Sequence, residues 1–455
     1  MIKTKTYPNG MKLVVETNPN SLSTECLFRF DVGALNEKEY ESGYAHFLEH
    51  MLAGESTNKR HVSEINQVYL NAGTDLDAST SYETTDYNFV SFNKDFDACF
   101  EALCERIFDC SFSEEEFARE KNIILQEHGD SETFEDLLTD MIEIHYDGQF
   151  PKFVDSDARG IKNANLEMLK KFYAREYIPS NLSISIYGNK TFEEVEQLLE
   201  KHVFSRIGKD RVATKEPRKQ ITKPIKSNFF VLVGENLQSQ VSILFSVEIK
   251  NNHAVSLLIN ALNGYCGILF HKLRIEEGLV YDVHAEIEPE LEGVVLSFDC
   301  SKDDISKCLT KVREVLDDIA QNGLTKECLT SAKTQTQLAI TLQCESSEFK
   351  TQVNAQNLAN GKIYSLQESL KKYSEITNET IKTVAKNILD GKFIVGAQGK
   401  GVKIEQLFAF EPSLYVPKFA KFKHFKHLKR QTKYVQEASD ERPQTKKIGE
   451  KPLEK

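Results

Sequence analysis

No apolar run in the 455 residues reaches the 18 or so needed to span a bilayer, which leaves no candidate transmembrane helix. The opening stretch, Met1 to Gly10, has neither an apolar signal core nor an Arg/Ser-rich amphipathic leader, and it runs straight into turn and strand chemistry. On that reading the chain is expected to stay where it is made, in the cytoplasm. Cys-x-x-Cys pairs are also missing. The nine cysteines are an odd number without paired spacing, which argues against a disulfide framework and against a cysteine zinc site. They are expected to be small core residues in a reducing compartment.

Charge is unevenly spread. Residues 412–455 hold 12 Lys+Arg and 5 Asp+Glu, a net of +7, so with −12 on the whole chain the rest carries −19. An acidic body of this kind is a poor nucleic-acid binder but attracts basic polypeptides. At 40% hydrophobic and 28% charged residues the composition is that of a globular protein, and the length calls for two domains of roughly 200 residues.

The chemistry concentrates in Gly43 to Met51, a helical stretch with the order His46-x-x-Glu49-His50. Residues i and i+4 share a helix face, so His46 and His50 can turn one nitrogen each toward a common metal, with Glu49 beside them. Two imidazoles, a third protein ligand and an open position for water make a catalytic zinc site, and a carboxylate that is not itself a ligand then acts as general base. The competing reading is an amphipathic helix whose histidines are satisfied by hydrogen bonds, so the pentad needs a third ligand. A second helix, starting at Ser113 with Glu116 at capping-box spacing, carries Glu120 and Glu127 seven apart, two turns along nearly one face. Either can reach a metal; on a helix face such acids are more often merely solvated.

Around these helices the pattern alternates strands and helices, and it restarts after a Lys/Pro-rich stretch at 215–228 with strands at Phe229–Gly234 and Val241–Val247. This reads as an internal duplication of an α+β unit, with His-x-x-Glu-His in the first copy only. The expected division is 1–214, a linker at 215–228, 229–411 and a basic tail at 412–455. Within the tail, Lys418 to Arg430 spaces Phe419, Phe422, Phe425 and Leu428 by three, as a basic amphipathic helix would.

Together these motifs resemble the insulinase and pitrilysin family of metallopeptidases, in the branch with the mitochondrial processing peptidases and their bacterial relatives. The family signature is His-x-x-Glu-His followed about 77 residues later by a glutamate ligand, and Glu127 stands 77 residues after His50. The resemblance implies zinc, one ion per chain, held by His46, His50 and Glu127, with Glu49 as base and Glu120 supporting the site. Arg274-x-x-x-Gly278-Leu279-x-Tyr281 matches the family's substrate-contacting Arg and Tyr. Asp77-Ala78-Ser79-Thr80 stands where relatives often have Asn-Ala-x-Thr in the strand that pairs with substrate backbone, which puts Asp77 and Ala78 among the expected substrate-binding residues. The implied fold is α+β, two duplicated domains making half of a clamshell, and the implied assembly is a dimer, homo- or heteromeric. The implied activity is zinc endopeptidase action on peptides or unfolded polypeptides. The alternatives are a non-catalytic partner subunit of the same family, or a presequence-processing peptidase in the matrix of a mitochondrion-related organelle.

Overall fold

The first sheet is built from β1 (Ile2–Thr6), β2 (Lys12–Thr17), β3 (Ser23–Phe30), β4 (Asp77–Thr80), β5 (Thr85–Phe92) and β6 (Leu182–Gly188), in the spatial order β1-β2-β6-β3-β5-β4. β2 and β6 run parallel and the other neighbours antiparallel. In this computed structural model the chain is described throughout except at residues 131–136, 147, 149–157, 211–217, 219–220, 222, 225, 235, 250–251, 265–266, 360, 415–433, 438–443 and 448–455. The apolar run of the basic tail therefore lies outside the described residues.

The first hairpin shows how sequence sets geometry. Gly10 takes φ 89°, Tyr7 donates its N–H to the Met11 carbonyl at 2.8 Å, and Asn9 Oδ1 accepts from Met11 N at 3.1 Å. Left-handed backbone of this kind suits glycine because it has no Cβ to clash. One face of the sheet supplies Phe28, Phe30, Ile184 and Ile186, all buried, and helices Tyr44–Gly54, Phe96–Phe108 and Leu166–Glu176 lay Phe47, Leu48, Phe100 and Phe172 into the same core. Each fully buried ring or branched chain contributes about 1.5–3 kcal/mol. The opposite face is polar and is met by helix Ser347–Ala359 from far along the chain. Asn354 donates to Glu16 Oε2 at 2.8 Å, Lys350 Nζ to the Tyr187 hydroxyl at 3.1 Å and Arg29 to the Gln352 carbonyl at 3.3 Å.

A second sheet contains β7 (Asn228–Val233), β8 (Gln238–Ser246), β9 (Val280–Glu288), β10 (Gly293–Ser301), β11 (Phe393–Gly399), β12 (Tyr434–Glu437) and β13 (Gln444–Lys447), in the order β13-β12-β7-β11-β8-β10-β9. Here β7 and β11 are the parallel pair. With β7, β8, β9, β10 and β11 set against β2, β3, β4, β5 and β6, the two orders coincide, which is the duplication read from the sequence. Helix Leu137–His145 packs on this sheet, where Gly396 leaves space that a Cβ would take from Met141 Sδ.

The compact units therefore differ from the contiguous halves expected around 215–228. Unit one is Met1–Phe134, Pro151–Gln220 and Thr341–Leu366; unit two is Glu135–Phe150, Ile221–Ile340 and Gln367–Lys455. A strand pattern shows which face of a sheet is buried but not which distant helix buries it. The eight cysteines among the described residues are all free, six of them buried. Among the described residues no helix is long and apolar enough to cross a membrane.

Candidate metal centre

The helix bearing the two histidines begins at Tyr44, inside the stretch its residues indicate. A short 3₁₀ turn occupies Glu39–Glu41, and Gly43, at φ 85°, turns the chain into the helix, where a Cβ would come within 2.8 Å of Ile161 Cδ1. Glu37 fixes the entry by accepting from Gly43 N at 2.9 Å and Ala45 N at 2.8 Å, satisfying two amides at the helix start. The helix then buries Phe47, Leu48, Met51 and Leu52 and leaves His46, Glu49 and His50 half-buried on the other side.

Helix Glu114–Asp130 lies against it, with Phe117 stacked on Phe47 at 4.8 Å between centroids and Ile124 buried. Its start is held by Glu116, whose carboxylate accepts from Ser56 N at 3.0 Å, Ser113 Oγ at 2.9 Å and Ser111 Oγ. Burial disfavours the Glu116 anion, but these three donors outweigh it and pull its pKa down to about 2. Packing and capping together aim Glu120 and Glu127 at the histidines.

At the centre, the Nε2 atoms of His46 and His50 stand 3.1 Å apart, with the rings at 90°. Glu127 Oε2 is 3.7 Å from His50 Nε2, and the other ring nitrogen, Nδ1, is 3.1 Å from Glu120 Oε2. Ligands sharing one zinc at about 2.0–2.1 Å in tetrahedral array stand about 3.3 Å from each other. His50 Nε2 stands at that kind of spacing from both His46 Nε2 and Glu127 Oε2, and two imidazoles with a carboxylate have the donor chemistry that fits the ion. Ligand atoms of His46, Glu49 and His50 also lie within 4.8 Å of one another. Glu49 is held from β4, where Thr80 Oγ1 donates to its Oε2 at 2.6 Å. Burial lowers the His50 pKa, but the bond to Glu120 and the charges of Glu127 and Glu49 outweigh it, and the net shift is upward.

The sequence motifs thus divide into two groups. His46, Glu49, His50, Glu120 and Glu127 converge. Ala78 packs on the core side of β4 with Thr80, whereas Asp77 is exposed and by strand alternation faces the other way. In the second unit, Arg274 and Tyr281 come together: Arg274 Nη1 donates to the Tyr281 carbonyl at 2.7 Å and its guanidinium lies 4.5 Å from the centre of the Tyr281 ring, which is 75% exposed. Two contributors have no signal in spacing: Glu37 at the helix entry and Thr80 as a side-chain donor.

Comparison with known proteins covers both halves of the chain. Residues 12–146 match the family described as Insulinase (Peptidase family M16), and 163–336 match the one described as Peptidase M16 inactive domain. An uncharacterized zinc protease of Mycobacterium leprae is 25% identical over 400 residues, 85% of this chain and 89% of its own. One from Bacillus subtilis is 23% identical over 400 residues, 85% of this chain and 96% of its own. A probable mitochondrial-processing peptidase subunit beta of Arabidopsis thaliana is 25% identical over 214 residues, 46% of this chain and 40% of its own. Among solved structures, a protease from Helicobacter pylori superposes with a TM-score of 0.78 at 20% identity, covering 88% of this chain and 99% of that one, a likeness of fold. The five converging residues fall inside the first match and Arg274 and Tyr281 inside the second, and with both domains accounted for the chain belongs to the insulinase family of peptidases, M16.

Proposed function

We propose that the protein is a zinc-dependent endopeptidase acting on extended peptides or unfolded segments. The observation that carries this reading is the convergence of His46 Nε2, His50 Nε2 and Glu127 Oε2, with a carboxylate held beside them by a separate hydrogen bond. His46, His50 and Glu127 hold the ion, which when bound lowers the pKa of a water toward about 7 and polarises the scissile carbonyl. Glu49 is the base that takes the water's proton and passes it to the leaving amine. Thr80 aims that carboxylate by donating to Oε2. Glu120 accepts from His50 Nδ1, which fixes the tautomer that presents Nε2 to the metal.

The substrate enters as an added strand on β4, an edge of the first sheet, where backbone bonding tolerates many side chains. Arg274 and Tyr281 supply a guanidinium and a phenol for the carbonyl and its developing oxyanion, and in a dimer they come from the second chain. Glu49→Gln tests the assignment, since an amide keeps the bond from Thr80 but takes no proton. Peptide hydrolysis should fall by about 10²–10⁴ with zinc content unchanged. A variant that cleaves like the parent removes Glu49 from this role.

A further inference from the structure

One side chain of the Lys/Pro-rich stretch at 215–228 reaches the turn that follows β4. β4 is only four residues long and passes straight into the turn Ser81–Thr84, which leads to β5. Within that turn Ser81 N donates to the Thr84 carbonyl at 2.8 Å, and Ser81 Oγ accepts from Glu83 N and Thr84 N at 3.1 Å each. Main chain holds one side of it: Ala34 N donates to the Ser81 carbonyl at 3.2 Å and Leu35 N to the Tyr82 carbonyl at 2.9 Å. Gly33 permits that approach, since a Cβ there would come within 2.4 Å of the Ser81 carbonyl oxygen.

Arg218 holds another part of the turn. Its Nη2 donates to the Glu83 carbonyl and to Asp31 Oδ1, and its Nη1 lies 3.8 Å from Glu83 Oε2. Asp31 is the residue after β3, and its own N–H donates to the Asn181 carbonyl at 2.8 Å, just before β6. The guanidinium therefore ties the turn to the end of an interior strand, whereas β4 itself lies at the edge with β5 as its one neighbour. A planar fork suits this, because it reaches two acceptors in fixed directions at once. Arg218 belongs to the first unit, which runs as far as Gln220.

We propose that Arg218 is a positioning residue for substrate: it braces the β4–β5 turn, so that the open edge of β4 is held in line for an added strand. A short edge strand is the part of a sheet that opens most readily, and a brace at its turn limits that opening. The role needs no contact with the ion or the reacting atoms. The inference rests on β4 being the substrate edge, as in the proposed function.

The test compares Arg218→Ala with Arg218→Lys in the full chain, using one peptide long enough to lie along β4 and one with too few residues to pair with it. Arg218→Ala should raise KM for the long peptide about tenfold, inside what a small misplacement can cost, and leave kcat and cleavage of the short peptide within about threefold of the parent. Arg218→Lys should fall between, since an ammonium reaches one acceptor without holding both. Zinc affinity, read by competition with a chelator, should not change, because no residue assigned to the ion lies on β4 or β5. A second readout needs no activity: the Ser81 amide should exchange its hydrogen with solvent faster in Arg218→Ala than in the parent, while amides of β2 and β6 keep their parent rates. Asp31→Asn, which weakens one arm of the brace, should show the same changes in smaller measure, and it takes over the test if melting shows Arg218→Ala unfolded. A parent-like KM in Arg218→Ala, equal losses on both peptides, or zinc affinity lost together with activity overturns the proposal. A parent that cleaves neither peptide overturns the proposed function instead, and the exchange rates then decide whether Arg218 braces the turn.

Discussion

The two units fold their sheets in the same order, yet one presents histidines and carboxylates where the other presents neutral side chains. In each, the helix after the second strand of the common order buries an apolar side against its sheet. Tyr44–Gly54 buries Phe47, Leu48 and Met51; His253–Leu262 buries Val255, Leu258 and Leu262. In each, a half-buried pair one turn apart stands on another side: His46 and His50 in the first, Ser256 and Asn260 in the second. A long helix meets each pair. In the first unit it brings Glu120 and Glu127; in the second, helix Lys326–Gln343 brings Thr336, whose hydroxyl accepts from Asn260 at 2.9 Å. The scaffold supplies two positions and a facing helix, and the residue types placed there decide whether the result is a metal site or a hydrogen bond.

The largest effect that would sharpen this contrast concerns the division of labour between the units. If the second unit has kept Arg274 and Tyr281 for substrate while the first holds the ion, an inactive Glu49→Gln chain mixed with an inactive Arg274→Ala chain should regain part of the parent's peptidase activity. Each parent-like half-site then comes from a different chain, and the return is at most about a quarter to a half of the parent rate for a freely exchanging dimer. Absence of any recovery under exchange conditions counts against a shared site.

A smaller effect is expected at the cap that aims the facing helix of the first unit. Glu116 has its folded pKa at about 2, below the ordinary 4.5, so the stability it adds is present above 4.5 and is lost as the pH falls from there toward 2. Glu116→Gln should therefore lower stability by about 1–3 kcal/mol at pH 7, with the gap from the parent closing in acid. Denaturant melts at pH 7 and pH 3 check this; a gap that does not narrow assigns the loss to packing.

The smallest effect belongs to the second unit. Asn260→Ala should cost about 1 kcal/mol in stability for the lost bond to Thr336 and leave zinc content unchanged. A change in zinc content would break the contrast between the two faces.

Much of this was legible in the residues. The i, i+4 spacing put His46 and His50 together, two turns put Glu120 and Glu127 on one side of their helix, and the repeated strand pattern gave two α+β units. What fixes the start of the helix at Tyr44 is Gly43 and the Glu37 carboxylate, which apolar spacing does not report. The interleaving of the units was not legible, because the polar outer face of the first sheet is satisfied by residues such as Asn354 and Lys350 that lie more than 300 and 160 positions from Glu16 and Tyr187.

Zinc titration of the full chain beside its His46→Ala and His50→Ala variants, in competition with a chelator of known affinity, tests the central claim most directly. The parent should take up one equivalent, and either variant should lose affinity by more than about a hundredfold, the upper end of what losing a merely supporting residue costs. Undiminished zinc binding after both imidazoles are removed would contradict the account.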